Sequence, residues 1–381
     1  MPNIKSKLPY TGTSIFTTMS KMALEYNAIN LSQGFPDFDG PEELFRLFKH
    51  YLDSGYNQYA PMQGVPQLRY KLSEKIEQLY SRKYNPDTEI LVTAGATQAV
   101  FTAITCAINK GDEVILMEPA YDSYAPSVIV NGGIPVFVPL NQDNYSIQWE
   151  LVKNAVTAKT RMIIINSPHN PTGSVINDAD IRILEEITRD SNILIVSDEV
   201  YEHIVFDNEK HISIAGSAEL SERSFVISSF GKTYHTTGWK LGYCAAPENL
   251  MNEFKKVHQF IVFSINTPAQ YAFADFLDNK EHYLTLNKFY QGKRDLMLKH
   301  LRDSGFSFIP AKGTYFQLLD YSDISQMTDT DFSNYLTKEK GVAVIPLSPF
   351  YSSSYSGKII RLCFAKKDEV LVEAAERLRK L

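Results

Sequence analysis

From about residue 89 onward, short runs of β-branched and other apolar residues alternate with longer segments whose apolar positions recur every three or four residues. Strands apolar along their whole length belong in a sheet covered on both faces, and helices between them supply the crossovers of a parallel sheet. The pattern predicts strands over 89–93, 113–117, 134–138, 161–166, 192–197, 224–228 and 241–246, and helices over 98–108, 124–131, 149–158 and 178–189. Past Met251 the character changes. Helical stretches over 267–277 and 283–304 lead into strands at 313–319, 342–345 and 358–364, which alternate with helices over 331–339 and 368–378. This second unit is too small to be an enzyme core of its own. The expected architecture is α/β: a large domain, residues 46–285, on a mostly parallel seven-stranded sheet covered by helices, with a smaller α+β domain formed by residues 286–381 and an N-terminal arm, residues 1–45.

Composition narrows the function classes. At 381 residues the chain exceeds one ordinary core, and 44% apolar with 22% charged residues is a globular balance. Apolar runs stay far shorter than a membrane span, and Met1-Pro2-Asn3-Ile4-Lys5 does not open a secretion signal. The net charge of −6, without a dense basic cluster, argues against a nucleic-acid partner. Cys106, Cys244 and Cys363 are widely spaced in apolar segments, so neither a disulfide framework nor a Cys/His metal site is expected. A cytoplasmic protein with a small-molecule partner, no metal and no membrane contact fits these features.

In open α/β sheets ligands bind beyond the carboxyl ends of the strands. After 224–228 comes Ser229-Phe230-Gly231-Lys232, and Lys240 follows eight positions after the lysine. A lysine there is a phosphate clamp, an amine held for covalent chemistry, or a plain strand cap. Gly231-Lys232-Thr233 has the ending of a P-loop, but that motif needs a glycine where Val226 stands. Four other strand ends add to the lysine. Ala94-Gly95-Ala96-Thr97 opens a helix whose free N–H groups suit a phosphate, although an ordinary tight turn has the same sequence. Tyr121 stands after 113–117 as a ring platform or as core. Two prolines fix the loop around Asn170. Asp198, followed by Tyr201, ends a run too apolar for a surface strand, so its carboxylate needs a cationic partner.

A phosphate seat, an aromatic platform, an amide, a carboxylate, a phenol and a lysine are what a pyridoxal 5'-phosphate site requires. The cofactor's aldehyde bonds to a lysine, and a carboxylate keeps its pyridine nitrogen protonated so that the ring acts as an electron sink. Lys232 and Asp198 fill those roles. Asn170 and Tyr201 would serve the ring hydroxyl, and Ser229 and Lys240 would complete the phosphate seat alongside Gly95, Ala96 and Thr97.

The strings Asn166-Ser167-Pro168-His169-Asn170-Pro171-Thr172-Gly173, Ser197-Asp198-Glu199-Val200-Tyr201 and Ser229-Phe230-Gly231-Lys232-Thr233 resemble the class I/II aminotransferases of fold type I over nearly the whole chain. Ile29-Asn30-Leu31-Ser32-Gln33-Gly34-Phe35-Pro36-Asp37-Phe38 is similar to the kynurenine and methionine aminotransferase branch, as are Ser14-Ile15-Phe16-Thr17 and Tyr59-Ala60-Pro61-Met62. Lys240 stands where most of the wider family has arginine, and that branch is similar in using lysine there. The resemblance implies transfer of an amino group from an L-amino acid to a 2-oxo acid in two half-reactions, with Lys232 as general acid/base. It further implies that Arg361 and Gly34 bind the substrate carboxylate, and that Tyr59 reaches the cofactor phosphate of the other subunit in a homodimer. Read without the resemblance, Arg361 could equally be an ion-pair partner on a strand. A lining from Phe16, Tyr121 and His203 would suit methionine or aromatic donors. The alternative reaction is β-elimination, as in cysteine-conjugate or cystathionine lyases, which uses the same lysine and electron sink.

Overall fold

The computed structural model describes residues 4–9 and 11–381. Its strands are β1 (Ile29–Asn30), β2 (Ile90–Thr93), β3 (Glu113–Glu118), β4 (Ile134–Pro139), β5 (Thr160–Asn166), β6 (Leu194–Asp198), β7 (Ser224–Ser229), β8 (Gly242–Ala245), β9 (Phe316–Asp320), β10 (Val342–Ala343), β11 (Ile345–Pro346) and β12 (Ile359–Cys363). A seven-stranded sheet runs in the order β2-β8-β7-β6-β5-β3-β4. It is parallel from β7 to β4, while β8 lies antiparallel to both its neighbours. The reversal has a local cause. Between β7 and β8 stand only the one-turn helix Phe230–Thr233 and a 3-10 turn, Thr237–Trp239, too little to carry the chain back along the sheet. Because β8 reverses, β2 points the same way as β7. The carboxyl ends of β2 to β7 therefore share one edge.

Successive residues of each strand feed opposite layers, as the pleat requires. Val92, Ile115, Ile163, Ile165, Ile195 and Val226 enter one core, with Leu68, Leu72 and Ile76 from the helix Pro66–Tyr80. Leu91, Leu116, Ile164, Val196 and Ile227 enter the other, with Val100, Ala103 and Ile104 from the helix Ala96–Ala107. A third core joins Leu31, Leu286, Leu319, Leu362 and Leu371, so chain near the N-terminus packs with chain near the C-terminus.

Three expectations need correction. The strand drawn over 342–345 is two pieces in different sheets: β10 pairs parallel with β1, and β11 pairs antiparallel with β12 in the order β11-β12-β9. The helix drawn over 283–304 breaks at Thr285 into Glu281–Leu284 and Leu286–Leu301. Five α-helices of the described residues carried no prediction: Ile15–Glu25, Glu42–Asp53, Pro66–Tyr80, the single turn Phe230–Thr233 and Glu248–Ile261. Among the described residues no helix is long and apolar enough to cross a membrane.

Candidate active site

The shared sheet edge opens into a cavity of about 150 Å³, with about 750 Å³ of space when its open mouth is included. Residues at or just after the ends of β2, β3, β5, β6 and β7 line it, among them Gly95, Tyr121, Asn170, Asp198, Tyr201 and Lys232.

One end of the cavity begins at Gly95, whose φ of +80° is a conformation glycine adopts without strain. The helix Ala96–Ala107 starts there with no side-chain cap, leaving its first N–H groups free at the positive end of its dipole. A Cβ built on Gly95 would lie 3.5 Å from Lys240 Nζ, so the ammonium stands beside this turn. Lys240 itself takes a left-handed conformation, φ 55°. Ser229, the last residue of β7, and Thr237 line the same end.

Asp198 is buried, and burial, the largest influence on its carboxyl, raises it to about 6. Its carboxylate accepts from the Tyr124 hydroxyl at 2.6 Å and the Val200 N–H at 3.3 Å, neither of which is a cation. Asn166 donates to the Asp198 carbonyl at 2.9 Å and accepts from the Asn170 N–H at 2.8 Å, tying two site loops together. Lys232 is half-buried, its open side being the cavity. Burial lowers its amine to about 8, with Arg361 and Lys240 adding like charge. Nζ donates to the Gly34 carbonyl at 3.1 Å and the Tyr315 hydroxyl at 3.0 Å. Gly231, just before it, has no room for a side chain: a Cβ would fall 2.9 Å from the Thr237 Cα.

Arg361 is fully buried, and burial lowers its guanidinium to about 10. Nη1 donates to Asn170 Oδ1 at 2.7 Å and Nη2 to the Ser32 carbonyl at 3.2 Å, while Nε finds no partner among the described residues. Its partners are an amide and a carbonyl rather than a carboxylate, so it is not the ordinary strand ion pair. Phe316, Phe350 and Phe16 surround the guanidinium at 3.9, 5.2 and 5.3 Å from their ring centroids. A planar anion would meet the unused donors of this cation.

The donor set fits pyridoxal phosphate. A buried carboxylate with only neutral partners suits a protonated pyridine nitrogen, an uncapped helix with a neighbouring ammonium suits a phosphate dianion, and Lys232 faces the space between them.

Tyr201 is buried in the wall with its ring edge-on to Tyr315 at 5.1 Å, and Tyr121 meets Tyr124 at 5.6 Å. Two residues stand apart from this group. Tyr59 is 82% exposed, edge-on to Phe263, outside the cavity of its own chain. His203 packs on Tyr283 and Glu202 and lines a different small cavity, so it is not part of the expected side-chain lining. Tyr124, Asn166, Ser32, Tyr315 and Phe350 were not singled out from sequence. Tyr124, Tyr315 and Phe350 lie in segments with no motif of their own, while Asn166 and Ser32 lie inside quoted strings in which other residues carried the expected roles.

The sequence pattern of the family described as "Aminotransferase class I and II" matches residues 26–378. Methionine aminotransferase of Escherichia coli is 49% identical over 99% of this chain and 98% of its own length. Kynurenine–oxoglutarate transaminase of Dictyostelium discoideum is 35% identical over 97% of this chain and 94% of its own. The crystal structure of YbdL from Escherichia coli, in which a methionine aminotransferase function was identified, superposes with a TM-score of 0.98 at 49% identity, covering all of both chains.

Proposed function

The chain belongs to the class I and II aminotransferases, pyridoxal phosphate-dependent enzymes that transfer amino groups, and on that premise we propose which residues do the work and which donor they prefer. When bound, pyridoxal phosphate supplies an aldehyde that takes up the amino group and a pyridinium ring that accepts the electron pair released at Cα. Lys232 would hold the cofactor and, once the substrate amine takes its place, would act as the general acid/base for the proton at the substrate Cα. Asp198, kept in register by Tyr124 and Asn166, would keep the pyridine nitrogen protonated. Asn170 and Tyr201 would serve the ring hydroxyl, Tyr121 would support the ring, and Ser229, Lys240 and the turn at Gly95, Ala96 and Thr97 would hold the phosphate. Arg361 binds the α-carboxylate with the Gly34 N–H, which orients the Cα–H bond towards Lys232. The amino acid leaves as its oxo acid, and a second oxo acid takes the amino group by the reverse steps, giving ping-pong kinetics.

Phe16, beside Arg361, and Tyr121 give an uncharged aromatic lining, and the similarity to methionine aminotransferase supports methionine and aromatic amino acids as donors. We further propose that residues 46–285 form the cofactor domain and residues 1–45 with 286–381 the smaller one. The active unit is a homodimer in which the exposed Tyr59 reaches the partner's cofactor phosphate. The free cysteines Cys106, Cys244 and Cys363 suit a reducing cytoplasm.

One observation carries the reading: Asp198 at the end of β6 and Lys232 just after β7, each lacking an opposite charge in contact among the described residues, face the same cavity. The test is a panel of amino acids added to the purified holoenzyme without acceptor, read by the cofactor's visible absorbance. Methionine or phenylalanine should bleach the band, with restoration by a 2-oxo acid and at least about tenfold preference over aspartate or glutamate. A stronger response to aspartate would end the donor assignment. Release of ammonia and an oxo acid without acceptor would favour the β-elimination alternative over transfer.

A further inference from the structure

Lys232 Nζ sits in a closed triangle of hydrogen bonds. It donates to the Gly34 carbonyl at 3.1 Å and to the Tyr315 hydroxyl at 3.0 Å, and that hydroxyl donates to the same carbonyl at 2.6 Å. The Tyr315 ring is fully buried and wedged edge-on between Tyr201 and Phe316, at 5.1 and 5.0 Å. Its carbonyl accepts from the Phe364 N–H at 2.9 Å, which anchors its backbone beside β12. With ring and backbone both fixed, the hydroxyl has one place to be. It gives its proton to Gly34 and turns its lone pairs to the lysine.

We propose that Tyr315 is the positioning residue for Lys232: together with the Gly34 carbonyl, it holds the lysine amine, whenever that amine is not bonded to the cofactor, in place to exchange a proton with the substrate Cα. The inference rests on Lys232 being the cofactor lysine, as proposed above. An ammonium uses two acceptors better than a neutral amine does, so the triangle favours the charged form against burial. The other groups facing the amine are Arg361 and Cys363 on β12, Lys240 before β8, Asp198 at the end of β6 and Tyr201 after it. Arg361 and Lys240 push its proton affinity down, Asp198 and Cys363 push it up, and Tyr315, a neutral phenol, acts through its oxygen's lone pairs. Gly34 belongs to the arm that also carries the Ser32 carbonyl bound by Arg361. The lysine and the carboxylate clamp thus hold the same short segment.

Tyr315→Phe removes the hydroxyl and keeps the ring. The cofactor-free protein is mixed with pyridoxal phosphate over a range of pH, and the rate of covalent capture, which needs a neutral amine, gives the midpoint of Lys232. The midpoint should stand near 8 in the parent and fall by about one pH unit in Tyr315→Phe, the worth of a hydrogen bond to a charged group. In the holoenzyme kcat should drop about tenfold with KM for the donor unchanged. Tyr290→Phe is the control, because that buried hydroxyl has no hydrogen-bond partner among the described residues and Lys232 donates to Gly34 and Tyr315 instead. An unmoved midpoint in Tyr315→Phe, or an equal shift in Tyr290→Phe, would overturn the proposal. Covalent capture by Lys232→Ala would instead overturn the assignment of the cofactor lysine.

Discussion

Asp198 is an ionisable group buried at a sheet edge beside neutral partners, and this carries a thermodynamic consequence. Burial raises its carboxyl from 3.8 to about 6, so in the cofactor-free protein the folded state binds more protons than the unfolded chain between those values. Stability therefore falls as pH rises through that window, and the full penalty remains above it. Asp198→Asn cannot ionise. Urea denaturation of the cofactor-free forms should show the variant about 1–3 kcal/mol more stable than the parent at pH 8 and the gap closing towards pH 4, while transamination is largely lost. A variant no more stable at pH 8 would mean that the carboxylate is already compensated. Charges at the ends of apolar strands are conspicuous, which is why Asp198 and Lys232 were legible from sequence. Tyr124 and Tyr315 were not, since a tyrosine in an apolar run reads as core until its hydroxyl is seen to reach a carboxylate or an amine.

The strands of the large sheet were legible because each is a continuous apolar run. The segment over 342–345 was misread because its residues, though uniformly buried, serve β1 on one side and β12 on the other. The helix Glu42–Asp53 buries only Leu44, too narrow a stripe to announce itself. Pro66–Tyr80 did carry a signal, a proline at its start and Leu68, Leu72 and Ile76 at helical spacing. That helix also brings Lys75 under the ends of β6 and β7, where its ammonium meets Glu202 Oε1 at 2.7 Å, both side chains buried. Tyr80 donates to the other Glu202 oxygen at 2.6 Å, and Ser228, next to Ser229, donates to Oε1. Burial alone would raise the Glu202 carboxyl, but Lys75 reverses this and holds it well below the usual carboxylate range. The stability this contributes is present above the ordinary carboxylate pKa and is lost only as pH falls through the lowered one. Glu202→Gln, which strands the Lys75 charge, should cost about 3–5 kcal/mol in urea denaturation, a loss constant between pH 6 and 8. A loss below about 1 kcal/mol would mean that water or a rearranged partner replaces the carboxylate.

At the scale of the whole molecule, one reversal of direction makes the site. Because β8 runs back between β2 and β7, β2 points the same way as the parallel strands, so that six strands, β2 to β7, end at one edge and the turn after β2 comes to lie beside Lys240. The third core then brings residues from both ends of the chain against that edge, delivering Gly34, Tyr315 and Arg361 to Lys232 and Asn170. Tyr59, Phe260 and Phe263 remain as exposed aromatics, in keeping with the proposed dimer. All of this converges on a single amine. Reduction of the holoenzyme with borohydride, followed by proteolysis and mass spectrometry, shows which lysine carries the cofactor. Phosphopyridoxyl mass is expected on the peptide containing Lys232 and on no other; the same mass on Lys240 or Lys75, or on no lysine at all, would overturn the assignment of Lys232.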